Sequence, residues 1–231
     1  MTIRETFERE LQRLQDEMLI LGSMVSNAIT ESVDILKRRD MDGARQLIAQ
    51  DRLINEKRFH IEEEALILIA TQQPMAGDLR VIAAVLDIAH ELERIGDYAK
   101  GIARINLMIG EKPLVKPLVD VPRMAEKARS MLERALDAFV RRDVEQARAI
   151  PAEDDEVDSL YEQVYRELIT YILADPGCIE GANYLLWVAH NLERTADRVT
   201  NICERVIFTV TGEMVELGER NSRLLEPIRK T

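Results

Sequence analysis

Apolar residues recur at three- and four-residue steps along almost the whole chain, which is the spacing of one buried face of an α-helix. The first such stripe consists of Phe7, Leu11, Leu14, Met18, Leu21, Val25, Ala28, Ser32 and Ile35. It ends near Lys37-Arg38-Arg39, cations that suit a helix C-terminus, and Asp40 follows as a candidate cap for the next helix. The pattern therefore predicts an all-α protein.

Proline and glycine divide this helical pattern into six long helices. After the first helix, we expect further helices over about 41–71, 77–110, 122–141, 143–174 and 178–211. The stretch punctuated by Pro113, Pro117 and Pro122 is the best internal boundary, because prolines this close together do not allow a continuous helix. We predict one domain over 1–112 and a second over 118–231, with a partly helical tail after Gly212.

A repeat at a fixed offset of one hundred residues supports this division. The octet from His90 to Asp97 recurs from His190 to Asp197, and five of its eight positions are identical. The flanks agree in kind, since Lys100-Gly101-Ile102 aligns with Thr200-Asn201-Ile202. Duplication of a helical unit explains this better than chance. The predicted fold is two tandem three-helix bundles related by an internal pseudo-twofold.

Charge and composition narrow the classes of function. The net charge of −11 disfavours nucleic-acid binding, because an acidic surface repels phosphates. The charged N-terminus has no signal-peptide pattern, and no apolar run approaches the roughly 20 residues that span a bilayer. We expect a cytoplasmic protein that meets a membrane only through a partner. Cys178 and Cys203 have no metal-site or redox spacing, and we expect both to be reduced and packed in the core.

Acidic residues repeat with the helices and form the candidate site. The octets place Glu93 and Asp97, and likewise Glu193 and Asp197, four residues apart on one helix face. On the preceding helices, the companions are Asp51 with Asn55 and Asp154 with Asp158. Antiparallel neighbours could bring each pair to its companion. Hard oxygen ligands suit Mg²⁺, Mn²⁺, Ca²⁺ or iron, so we predict two metal-binding sites.

Two other interpretations remain open. Arg94 and Arg194 could simply pair with these acids on solvated faces, with His90 and His190 as further acid partners. Alternatively, the protein could be a carboxylate-bridged metal enzyme, an oxidase or phosphatase. A di-iron site needs Glu-x-x-His, whereas here His90 precedes Glu93. No nucleophile elbow, phosphate-binding loop or dinucleotide motif occurs, so we expect no enzyme.

The chain resembles the PhoU family of bacterial phosphate-signalling regulators over nearly its whole length. The resemblance rests on the opening Phe7-x₃-Leu11-x₂-Leu14, on Gly77-Asp78-Leu79-Arg80, on Glu91 to Ala99, and on Asn191 to Asp197. It implies acidic motifs that hold multinuclear metal clusters. Glu93, Asp97, Glu193 and Asp197 match the E/DxxxD motif, and the companion motif matches Asp51, Asn55, Asp154 and Asp158. Asn55 is a neutral ligand, so the first site should bind metal less tightly.

The resemblance also implies a biological role. PhoU-like proteins exert negative control over the phosphate-starvation response and restrain phosphate uptake. They link the ATPase subunit of the phosphate ABC transporter to a membrane sensor histidine kinase. We further expect a homodimer, and an ion chosen from Fe, Mn, Mg, Zn and Ca that no reaction requires.

Overall fold

The computed structural model describes residues 3–217, and every regular element in that range is a helix. The α-helices are α1 (Ile3–Arg38), α2 (Met41–Gln72), α3 (Ala76–Ile109), α4 (Asp120–Arg141), α5 (Val144–Ala149), α6 (Asp154–Ala174) and α7 (Ile179–Thr211). Short 3₁₀ turns at Ile150–Glu153 and Pro176–Cys178 lie before α6 and α7. The predicted all-α fold is confirmed.

Two aspartates begin helices by accepting hydrogen bonds from the first turn. Asp40 Oδ1 accepts a 2.8 Å bond from the backbone N–H of Gly43 at the start of α2. Asp143 Oδ1 accepts a 2.9 Å bond from the N–H of Gln146 at the start of α5. First-turn N–H groups have no partner inside the helix, so each carboxylate satisfies one of them. The predicted cap at Asp40 is confirmed.

The helix predicted over 143–174 is interrupted, and the expectation of one unbroken helix there was wrong. α5 ends at Ala149, and a 3₁₀ turn carries the chain to the start of α6 at Asp154. Pro151 lies at the beginning of this turn. It has no N–H to donate and its ring would clash in a continuous helix, so the chain breaks there. α5 and α6 together take the place of the middle helix of the second half. With these two counted as one, the described residues form six long helical segments.

Four helices form a closed ring at the centre of the molecule. α1 packs on α3, α3 on α7, α7 on α4, and α4 on α1. Among the described helices, α2 packs only on α1 and α3. On the opposite side, α6 packs on α4 and α7 and on the short 3₁₀ turns at its two ends. The first half (α1–α3) and the second half (α4–α7) are therefore joined along the ring, and α2 and α6 flank it.

α3 and α7 run antiparallel across this junction. Lys112, just after the end of α3, pairs with Glu180 in the first turn of α7 at 2.9 Å. Near the other end, Arg205 of α7 lies 3.5 Å from Asp87 of α3. Helices that are repeats of each other and pack antiparallel are related by a local twofold, as the duplication predicts.

The core is aliphatic and begins with the first predicted stripe, every member of which is buried. By length and composition alone, α1 could cross a membrane, since its most apolar window has a mean hydropathy of 1.3. This differs from the expectation that no run is long enough. However, 56% of that window is buried inside the bundle, and core helices of soluble proteins pass the same test. The finding is weak support for a membrane span.

The tail after Gly212 is described only in part. Residues 212–217 form no helix, and the rest of the tail that was predicted to be partly helical, residues 218–231, lies outside the described range. The Leu217 N–H donates a 2.8 Å bond to Glu204, which ties this segment to α7. Cys203 is buried as expected, whereas Cys178 is partly exposed. The domain limits at residues 112 and 118 stay a prediction.

Candidate functional site

The predicted ligands fall into two groups, one in each half. We call Asp51, Asn55, Glu93 and Asp97, on α2 and α3, the first acidic set. We call Asp154, Asp158, Glu193 and Asp197, on α6 and α7, the second acidic set. Because α2 packs on α3 and α6 packs on α7, each companion pair lies on the helix next to its E/DxxxD motif, as predicted.

In the first acidic set, a lysine joins the two helices. Lys100 Nζ lies 2.6 Å from Asp51 Oδ2 and 2.5 Å from Asp97 Oδ1. Asn55 Nδ2 donates to Asp51 Oδ2 at 3.2 Å, so the amide nitrogen, not the oxygen, faces that carboxylate. Glu93 is partly exposed and takes no part in this network.

The ammonium of Lys100 is held in its charged form. Burial alone would lower the pKa of Lys100, because a buried charge loses hydration. The hydrogen bonds to Asp51 and Asp97 and their negative charges outweigh burial, and the pKa is raised above its ordinary value. The first acidic set therefore contains its own cation.

In the second acidic set, Thr200 takes the repeat position of Lys100, and Glu193 shows the consequence. Its Oε2 is buried without a hydrogen bond, although His190 Nδ1 lies 3.3 Å away. That contact lacks hydrogen-bond geometry, and His190 is more than half exposed, so the imidazole does not satisfy the Glu193 oxygen. Burial, then the negative charges of Asp197 and Asp158, raise the pKa of Glu193 to about 7.

The neighbours of Glu193 are only partly neutralised. Arg194 Nη1 donates to Asp197 Oδ2 at 2.9 Å, which matches the interpretation that an arginine pairs with the acids. Burial, followed by the charges of Asp197 and Glu162, raises the pKa of Asp158. Asp158 is exposed, so solvent screens these charges and weakens their effect. Asp154, the first residue of α6, is partly buried.

Lys100 and its repeat counterpart Thr200 were not among the predicted site residues. The signal was present, since Lys100-Gly101-Ile102 aligns with Thr200-Asn201-Ile202. The alignment is apparent in the sequence, but the sequence does not show that the lysine side chain reaches across to α2. Thr200 is only 5% exposed, and its Oγ1 has no hydrogen-bond partner.

The two sets fit a metal ion differently. Within residues 3–217, no three His, Cys, Asp or Glu side chains are grouped so that they could hold an ion. The donors of the second acidic set still suit a hard cation, because they are carboxylates and one buried oxygen lacks a donor. The first acidic set does not fit, because an ammonium already lies between Asp51 and Asp97. The metal-ligand assignments stay a prediction.

Comparison with known proteins gives the family. The sequence matches the PhoU domain over residues 18–105 and again over residues 121–206. The chain belongs to the PhoU family. The two matched ranges fall on the two halves and include both E/DxxxD motifs, so the predicted family is confirmed.

Similar PhoU proteins match along almost their whole length. The chain is 37% identical to the phosphate-specific transport system accessory protein PhoU homolog of Clostridium acetobutylicum, over 94% of this chain and 99% of that protein. It is 36% identical to the homolog of the same name in Caulobacter vibrioides, over 95% of each.

Solved structures show the same fold. The crystal structure of the phosphate transport system regulatory protein PhoU from Streptococcus pneumoniae superposes with a TM-score of 0.84 at 31% identity, covering 91% of this chain and all of that one. PhoU from Pseudomonas aeruginosa superposes with the same TM-score at 34% identity, covering 90% of this chain and all of that one. The predicted PhoU-like fold is thereby confirmed.

Proposed function

We propose that this protein is a negative regulator of the phosphate-starvation response. It couples the ATPase subunit of the phosphate ABC transporter to a sensor histidine kinase and restrains phosphate uptake from the cytoplasmic side. The observation that carries the proposal is the family membership of both halves, together with relatives named as accessory proteins of a phosphate-specific transport system. In this role the protein acts by binding and catalyses no reaction.

The outer helices supply the surfaces that such an adaptor needs. α2 and α6 each pack on one side only, and both expose large apolar side chains. On α2, Leu66 is 61% exposed, and the exposed Phe59 lies two turns earlier on the same helix face. On α6, Leu173 is 78% exposed and Tyr165 is also exposed. Apolar side chains gathered on an outer face are typical of sites for protein partners.

Affinity capture tests the proposed partners. The tagged protein should retain the transporter ATPase and the kinase from cells grown in ample phosphate. Leu66→Lys or Leu173→Lys should weaken capture of at least one partner about tenfold, because a charge replaces an apolar contact. Val140→Lys is the matched control, since it adds the same charge at an exposed position of α4. Capture of neither partner by the unaltered protein would contradict the proposal.

We also propose that the second acidic set binds a hard cation, drawn from Fe, Mn, Mg, Zn and Ca. Asp154, Asp158, Glu193 and Asp197 would hold it, and the ion would supply the positive charge that Glu193 lacks. Anomalous scattering from crystals soaked in Mn²⁺ tests this. An anomalous peak beside Glu193 supports the site. The absence of a peak in crystals soaked to saturation contradicts it.

The proposed assembly is a homodimer. Sedimentation equilibrium of the purified protein measures this directly, because it gives the mass of the assembly without reference to shape. A mass twice that of the chain supports the dimer, and the mass of a single chain across micromolar concentrations contradicts it.

A further inference from the structure

Lys100 occupies the position that a cation would take in the first acidic set. Its ammonium bridges α2 and α3 by bonding Asp51 Oδ2 at 2.6 Å and Asp97 Oδ1 at 2.5 Å. Only 16% of the side chain is exposed, so these contacts lie within the packed surface and not at a mobile rim. A buried ammonium held between two carboxylates supplies the charge that an ion would otherwise supply.

The second half keeps the acids but lacks the lysine. The repeat puts Thr200 where Lys100 stands, on the same helix face as Glu193 and Asp197. Thr200 is too short to reach α6 with a charge, and its buried Oγ1 has no hydrogen-bond partner. Arg194 is 40% exposed and donates to Asp197, and Glu193 Oε2 has no hydrogen-bond donor among the described residues.

We infer that Lys100 is the fixed counter-cation of the first acidic set and confines divalent-cation binding to the second acidic set. The inference rests on the proposed metal capacity of the second set. The two repeats would then have diverged in one respect: the first is closed by its own ammonium, and the second is completed by an ion. Asn55 agrees with this difference, because its amide nitrogen donates to Asp51.

Removal of the ammonium leaves room for an ion. Asp51 and Lys100 both line a cleft of about 280 Å³ beside α1, which also contains Asn27, Glu31 and Gln50. A shorter or uncharged side chain at position 100 would leave Asp51 and Asp97 without a counter-cation next to this cleft. Two carboxylates without a counter-cation on neighbouring helices are an oxygen-rich environment that suits Mn²⁺.

The test compares Mn²⁺ binding by the purified full chain and its variants, using equilibrium dialysis and the thermal shift caused by Mn²⁺. Lys100→Met keeps the aliphatic stem and removes the charge. It should raise the Mn²⁺ bound per chain about twofold and enlarge the thermal shift, because ligands that bind the folded state stabilise it. Lys57→Met is the matched control, since it removes the same charge from the ion pair with Glu17, outside both sets. It should bind like the unaltered protein.

The reciprocal variant is Thr200→Lys, which should abolish Mn²⁺ binding by supplying an ammonium to the second set. Because position 200 is buried, Glu193→Gln is the second route to the same loss. Equal Mn²⁺ binding by the unaltered protein and Lys100→Met overturns the inference. If the unaltered protein binds no Mn²⁺ but Lys100→Met does, the role of Lys100 holds and only the proposed second site fails. If no variant binds Mn²⁺, the inference is overturned.

Discussion

Glu193→Gln should stabilise the protein at alkaline pH, because it removes a charge that the fold disfavours. The Glu193 carboxyl is buried beside Asp197 and Asp158, and its pKa is raised from 4.5 to about 7. The folded state therefore holds a proton that the unfolded state has already lost between these pH values. By linkage, this group makes stability fall as pH rises from about 4.5 to about 7, and the loss is complete above that range.

The size of the effect follows from the pKa difference. At about 1.4 kcal/mol for each pKa unit, the raised pKa costs the native state about 3 kcal/mol at pH 8. Solvent reaches 23% of the Glu193 side chain and the glutamine amide must find its own partners, so we expect a net gain of about 1 to 2 kcal/mol. At pH 4.5 the glutamate is protonated, and the gain should vanish.

Urea denaturation at pH 4.5 and pH 8, with EDTA present to remove divalent ions, measures this difference. Glu93→Gln is the matched control, because the first acidic set already contains the Lys100 ammonium, and it should show no comparable gain at pH 8. The prediction fails if Glu193→Gln is less stable than the unaltered protein at pH 8. It also fails if the substitution changes the free energy of unfolding by the same amount at both pH values.

Buried and partly buried side chains elsewhere in the molecule give three more expected outcomes. The Cys203 thiol is fully buried and its pKa is raised to about 12, so a thiol reagent at pH 8 should modify Cys203 only at the rate of unfolding. Rapid modification of Cys203 itself in native buffer contradicts this. Lys116→Ala should lower the free energy of unfolding by about 2 kcal/mol, because the buried Asp120 carboxylate loses an ammonium and keeps, among the described residues, only the exposed Arg123 guanidinium at 3.5 Å; a loss below about 0.5 kcal/mol in urea titration contradicts this. Hydrogen bonding by Arg134 lowers the pKa of Glu153 from 4.5 to about 2, so Arg134→Ala should cost stability at pH 7, and denaturation curves should converge as pH falls from 4.5 to 2; a constant gap contradicts this.

The arrangement of the helices followed from the sequence because each signal acts locally. Apolar spacing, the cap at Asp40 and the stop at Pro74 depend on neighbours within one or two turns, and the helix ends agree with them to within a few residues. The break at Pro151 was also visible in the sequence. It was missed because the apolar pattern on both sides of the proline suggested one helix.

The candidate site could be predicted only in part. The repeat and the four-residue spacings placed the acids on adjoining helices, since these depend on helix geometry and antiparallel packing. The bond from Lys100 to Asp51 joins residues far apart in the chain and depends on the rotamer of a long side chain. No local pattern specifies that rotamer, so the different charge balance of the two acidic sets required the structure.

Expression of phosphate-starvation genes in ample phosphate shows directly whether the protein is a negative regulator. The gene is deleted in its own organism, and a phosphate-responsive reporter is measured with and without a plasmid copy of the unaltered gene. Reporter expression should be high in the deletion strain despite ample phosphate, and it should be fully repressed when the plasmid copy is present. Equally low expression in the deletion strain and its parent would contradict a negative regulatory role.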